Sequence, residues 1–124
     1  MSQTKNSLGD FKPEQTEIGK RIKNCSGSLT ETIPVNEEFS IHKVEVMEGE
    51  YNDKPTKTAF LEVERNGLKA EFSTGGKTIL AQLTEWKNND GQTLSYVINA
   101  GKVQVFKLEK YKTKNGQYAF RLIE

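Results

Sequence analysis

Imidazole and thiol are nearly absent. The 124 residues include one histidine, His42, and one cysteine, Cys25. A single thiol forms no intramolecular disulfide, which fits a reducing compartment. A single imidazole leaves no His-based metal cage and no Ser-His-Asp triad to expect from this chain alone. Cys-His nucleophilic chemistry would need Cys25 and His42 together, yet Cys25 sits in the polar stretch CSGSLT. No apolar run approaches the roughly 20 residues of a membrane helix, and residues 1–30 hold no apolar signal core. These absences predict a cytoplasmic protein with no membrane association, metal or cofactor. Charge of one sign is not in excess either: the formal net charge is +1, so there is no global basic signal for nucleic acid.

Charge is nevertheless uneven along the chain. Residues 31–50 carry Glu31, Glu37, Glu38, Glu45, Glu48 and Glu50 against Lys43 alone. Residues 101–124 carry Lys102, Lys107, Lys110, Lys112, Lys114 and Arg121 against Glu109 and Glu124. The C-terminal stretch is therefore the electropositive end, where lysines either guard a sheet edge or track phosphates. The acidic run offers a rival reading. A protein-binding or inhibitory adaptor could use it to dock on a basic partner or to mimic nucleic acid.

What the chain does have is strand periodicity. Thr58 to Arg65 places Ala59, Leu61 and Val63 on one face. Asn66-Gly67 then accepts the positive φ values of a two-residue hairpin turn. On the return, Leu68, Ala70 and Phe72 alternate with Lys69, Glu71 and Ser73. After Gly75-Gly76 the period becomes helical, through Ile79, Leu80, Leu83 and Trp86. Upstream, Phe39 to Tyr51 reads as a strand whose apolar parity slips between Phe39/Ile41 and Val44/Val46, which predicts a bulge near His42-Lys43. Ile33-Pro34-Val35 reads as the start of an edge strand, and Ile18 and Ile22 are spaced for a short helix or turn. Downstream, Leu94 to Ile98 reads as a short extra strand. Lys102 to Tyr111 reads as another strand of shifting parity, with Val103 and Val105, then Phe106 and Leu108. Lys114-Asn115-Gly116-Gln117 is a second hairpin turn before the alternating Tyr118, Phe120 and Leu122.

The order predicts a mainly β fold, an oligonucleotide/oligosaccharide-binding (OB) type barrel of five to six strands with one short helix between the third and fourth core strands. Residues 1–30 form a polar N-terminal extension and residues 31–124 the barrel domain.

Few constellations point to chemistry. Gly76-Lys77-Thr78 opens a helix after a strand, like the end of a phosphate-binding P-loop, but that loop needs a glycine where Glu71 stands. Nucleotide hydrolysis is excluded on that ground, and only a phosphate contact at the helix start with Lys77 survives. Paired glutamates such as Glu62 and Glu64 read as a solvated strand face. No catalytic residue is expected.

Aromatics interleaved with lysine remain. Single-strand binders combine a positive groove with aromatic platforms for base stacking. Phe60 lies on the opposite strand face from Ala59, Leu61 and Val63, so it is expected to face outward. Tyr51, Tyr111 and Tyr118 fall at strand ends and loop mouths, near Lys54, Lys110, Lys112 and Lys114. The expected nucleic-acid interface is Tyr51, Phe60, Tyr111 and Tyr118 as platforms, with Lys54, Lys57, Lys69, Lys77, Lys110, Lys112 and Lys114 on phosphates.

Phe72-Ser73-Thr74-Gly75-Gly76-Lys77 followed by Ile79-Leu80-Ala81-Gln82-Leu83 resembles the strand-turn-helix segment of small phage-encoded OB-fold single-stranded-DNA-binding proteins. Val103-Gln104-Val105, the hairpin Lys112-Thr113-Lys114-Asn115-Gly116 and Tyr118 resemble their C-terminal hairpin. The likeness covers roughly residues 39–86 and 102–122. It implies non-sequence-specific binding of single-stranded DNA in phage replication or recombination, in the host cytoplasm and without catalysis. Replication or recombination proteins would be further partners, and the chain would act as monomer or homodimer. The chain departs from the pattern in its near-neutral charge and in ending on Phe120-Arg121-Leu122-Ile123-Glu124 rather than on an acidic tail.

Overall fold

The computed structural model describes residues 17–51 and 54–124. Five antiparallel strands form one sheet: β1 (Phe39–Tyr51), β2 (Lys54–Arg65), β3 (Leu68–Thr74), β4 (Gln104–Lys112) and β5 (Tyr118–Ile123). Their spatial order is β3-β2-β1-β4-β5. The sheet is not closed into a barrel, because β3 and β5 lie at opposite edges and do not pair. The short helices are α1 (Glu17–Asn24), α2 (Leu29–Thr32), α3 (Lys77–Thr84) and α4 (Leu94–Asn99).

Local chemistry explains the hairpins. Asn66 and Gly67 have φ of 55° and 80°, both positive as the tight turn between β2 and β3 requires. The slip in β1 is a true irregularity, since its register against β2 shifts between Ile41 and Lys43. That shift lets Phe39 and Ile41 on one side of it, and Val44 on the other, all reach the core. Ala59, Leu61 and Val63 of β2, Phe72 of β3 and Ile79, Leu80 and Leu83 of α3 join the same cluster. Each large side chain fully buried there contributes about 1.5–3 kcal/mol relative to exposure.

Four readings are corrected by the structure. Leu94 to Ile98 is helix, not strand. Thr93 Oγ1 accepts from the Tyr96 N–H at 3.3 Å, and this cap starts α4. Two helices, α3 and α4, therefore separate β3 from β4 where one was expected. Ile33-Pro34-Val35 is no strand: Ile33 caps α2 and is buried, and the chain turns at Asn36, whose φ is 65°. The strand expected from Lys102 starts later than that. β4 begins at Gln104, keeps Phe106 and Leu108 inward and leaves Val105 52% exposed. Trp86 does not extend the buried face of α3, because that helix ends at Thr84 and the indole, past the C-cap Glu85, is 60% exposed.

Parts of the sheet's two free edges are covered by backbone and amide groups from elsewhere. Residues 26–28 run along the free edge of β3. There the Ser26 N–H donates to the Glu71 carbonyl at 2.7 Å and the Ser73 N–H to the Gly27 carbonyl at 3.0 Å. This path carries Leu29 into the core with no exposed surface. On the other edge, Gln82 of α3 donates from Nε2 to the Leu122 carbonyl and accepts from the Leu122 N–H, both at 2.8 Å.

Candidate nucleic-acid interface

A cleft of about 440 Å³ opens between the β3–α3 turn and the β4–β5 hairpin. One wall is Thr74, Gly75, Gly76, Lys77, Thr78 and Ile79, with Ser28 and Thr30 beside them. The other is Tyr111, Thr113, Gln117, Tyr118, Ala119 and Phe120. Among the described residues, no carboxylate lines it. A second cleft of about 670 Å³ shares Gly75 and Lys77 and continues toward Lys57, Glu48 and Glu85. Of the residues singled out above, the structure brings Lys77, Tyr111 and Tyr118 together in the first cleft and Lys57 into the second. Lys110, Lys112 and Lys114 stand exposed on the adjoining hairpin.

The aromatics differ in what they offer. Tyr118 is 64% exposed, and the ammonium of Lys110 lies 4.6 Å from its ring centroid. That cation steadies one ring and keeps positive charge beside it. Tyr111 is half-buried, and its hydroxyl and that of Thr78 share a 2.6 Å hydrogen bond that ties β4 to α3. The guanidinium of Arg121 covers its ring at 4.9 Å. Tyr111 is thus a strut in the cleft wall more than an open platform. The side chain of Tyr51 lies outside the described residues.

Phe60 is a correction. It does lie on the face opposite the core, but it is only 1% exposed. α1 lays Arg21 across it, with the guanidinium 4.5 Å from the ring centroid. Arg21 also pairs with Glu45 at 2.7 Å and Glu71 at 2.9 Å. The arginine answers a local electrostatic fault. Glu62 and Glu71 are directly opposed across β2 and β3, and like charges so placed destabilise a sheet. Arg21's hydrogen bond holds the Glu45 carboxyl below the usual carboxylate range, and the two glutamates in turn raise the guanidinium. Glu45, Glu62 and Glu71 stand around it, with Lys43 opposite Glu62 on β1. Lys69, opposite Glu64 on β3, belongs to the same surface and not to the cleft. Lys54 is exposed at the start of β2.

Pairing separates the two charged stretches. In the acidic run, Glu37 is bonded to Arg65 at 2.7 Å, Glu45 to Arg21 at 2.7 Å and Glu48 to Lys57 at 3.6 Å. Among the described residues, none of Lys77, Lys110, Lys112 and Lys114 has a carboxylate within ion-pair distance. Arg121 is the exception on that side, bonded to Glu109. Among the described residues, Lys77, Lys110, Lys112 and Lys114 thus place unpaired positive charge in and beside the first cleft.

His42 has neighbours that its sequence context did not announce. Its Nε2 is 2.9 Å from Ser40 Oγ and 3.1 Å from Glu64 Oε1. Hydroxyl and carboxylate meet the same nitrogen, whereas a Ser-His-acid relay needs them on opposite nitrogens. Ser28, Thr30 and Gln117 line the cleft without any signal in the sequence, since they are small polar residues brought there by the path of residues 26–28 and by the hairpin turn. No family model, curated protein or solved structure matches this chain.

Proposed function

We propose that the protein binds single-stranded DNA without sequence preference, and protects it during phage replication or recombination without acting on it chemically. The supporting observation is one juxtaposition. An exposed Tyr118 and Lys77 line a cleft that, among the described residues, holds no carboxylate, and Lys110, Lys112 and Lys114, unpaired among those residues, stand on the adjoining hairpin. The strand would cross the β4–β5 hairpin and pass the Gly75-Gly76 turn, with Tyr118 under a base and the lysines on phosphates. The strand order β3-β2-β1-β4-β5, with helices between β3 and β4, agrees with an OB-type sheet whose β3–β5 seam is open. The rival adaptor reading is weakened in part, because Glu37, Glu45 and Glu48 are each matched by a basic partner within the chain, while Glu31 and Glu38 have none among the described residues.

The test is fluorescence anisotropy of labelled oligo-dT, titrated at two salt concentrations. Saturable binding that weakens with salt and prefers single to double strands is the expected result. Absence of binding at low salt would overturn the reading.

A further inference from the structure

The direction of one pair of hydrogen bonds shows which backbone groups of β5 are unused. Leu122 directs its N–H and C=O away from β4, onto the Gln82 side chain. In a strand, alternate residues point their backbone groups to the same side. Phe120 and Tyr118 therefore also point theirs away from β4. The hairpin agrees, because the Thr113 N–H donates to the Gln117 carbonyl at 2.7 Å, which makes Lys112/Tyr118 and Lys110/Phe120 the non-bonded pairs. Among the described residues, no partner meets those outward groups of Tyr118 and Phe120. They face the 440 Å³ cleft, across from Ser28 and Thr74.

We infer that this edge is a docking site for one extended peptide segment of a protein partner, added as a strand beside β5. Gln82 already performs the role of a neighbouring strand at Leu122, and the added segment continues it at Phe120 and Tyr118. A second folded copy is not the occupant, since Gln82 of α3 already takes the edge at Leu122 and leaves too little of β5 for pairing between two copies. Charge selects the segment's chemistry. The cleft has Lys77 at its mouth and, among the described residues, no carboxylate, and Lys112 and Lys114 stand on the adjacent hairpin, so small or apolar residues alternating with acidic ones are complementary. β5 has none of the lysine, proline or bulge devices that blunt an edge strand. The inference does not depend on DNA binding.

The probe is a fluorescein-labelled peptide of about eight residues alternating valine and glutamate, titrated into the full chain. Its control is the same peptide N-methylated at alternate residues, which keeps the charge and removes the donors. The expected result is saturable binding by the first, about tenfold or more weaker binding by the second, and new exchange protection of the Tyr118 and Phe120 amides. Equal binding of both peptides, binding of neither, or protection of those amides already in the free chain overturns the inference. Oligo-dT is titrated into the same preparation. Peptide failure with DNA success removes only the docking site, and the reverse removes only the proposed function.

Discussion

Asn99 of α4 and Val44 of β1 exchange two hydrogen bonds. The Asn99 Nδ2 donates to the Val44 carbonyl at 2.8 Å, and the Val44 N–H donates to Asn99 Oδ1 at 2.9 Å. A carboxamide has the donor and acceptor spacing of a peptide group, so Asn99 stands where a neighbouring strand would. It is needed there because β4 accompanies β1 only from Phe39 to Ile41. Gln82 does the same for Leu122 on β5. Both helices between β3 and β4 are thereby pinned to strand edges by side-chain amides.

Asn99→Ala should lower stability by about 1–2 kcal/mol, the sum of two net hydrogen bonds at a partly exposed site. Asn99→Asp should cost a similar amount, because the carboxylate cannot donate to the Val44 carbonyl. Urea denaturation would show a lower midpoint with an unchanged slope. An unchanged midpoint for both variants would mean that water replaces the amide at no cost.

The hairpins and the bulge were legible because their causes are local. Asn66-Gly67 allows its own positive φ values, and the parity slip across His42 is written in four apolar positions. α4 was not legible from periodicity, since a run as short as Leu94 to Ile98 suits a buried strand equally well; the decisive signal was Thr93, a capping residue. Phe60 shows a deeper limit. Alternation places a side chain on a face of a strand but says nothing about what lies above that face. Here the cover is Arg21, from a helix far earlier in the chain, whose apolar Ile22 remains 43% exposed while the charged residue does the docking. The cleft was half legible. The lysines and Tyr118 were marked by composition, but the partners of Glu37, Glu45 and Glu48 come from strands and a helix that only the fold brings together.

Tyr118 and Phe60 should separate binding from stability. Tyr118→Ala removes an exposed ring and should weaken oligo-dT binding by about 1–3 kcal/mol, with little change in melting temperature. Phe60→Ala empties a buried site and should destabilise the fold by about 3–5 kcal/mol. At temperatures where that variant is still folded, its affinity for oligo-dT should match the parent. Loss of affinity in folded Phe60→Ala, with none in Tyr118→Ala, would move the interface to the outer face of β1–β3.

The lysines should be visible in the salt dependence. Lys112→Gln and Lys114→Gln should each weaken oligo-dT binding and reduce the slope of log K against log salt by about 0.7 per lost phosphate contact. Lys69→Gln, on the acidic face, should leave the slope unchanged. Titrations at several salt concentrations would read both. Equal slope changes for all three would point to diffuse attraction in place of a defined cleft.

α1 should loosen in acid. Arg21 holds the Glu45 carboxyl below its ordinary range, the hydrogen bond from the guanidinium being the main cause. A carboxyl depressed in the folded state adds stability that is fully present above its unfolded pKa, about 4.3, and is lost as pH falls through the folded value. Arg21 itself stays charged throughout, because its own shift is upward. Acidification from neutral pH to below about 4 should therefore release the clasp over Phe60 and reduce exchange protection along α1. The core strands should keep theirs in the same range. Glu45→Gln should flatten this acid response, and Arg21→Ala should give an α1 that is weakly protected at every pH. Two-dimensional NMR across that range would follow all three proteins. An α1 in Arg21→Ala as protected as in the parent would show that Ile18, packed against Gly49 of β1, holds the helix without the arginine.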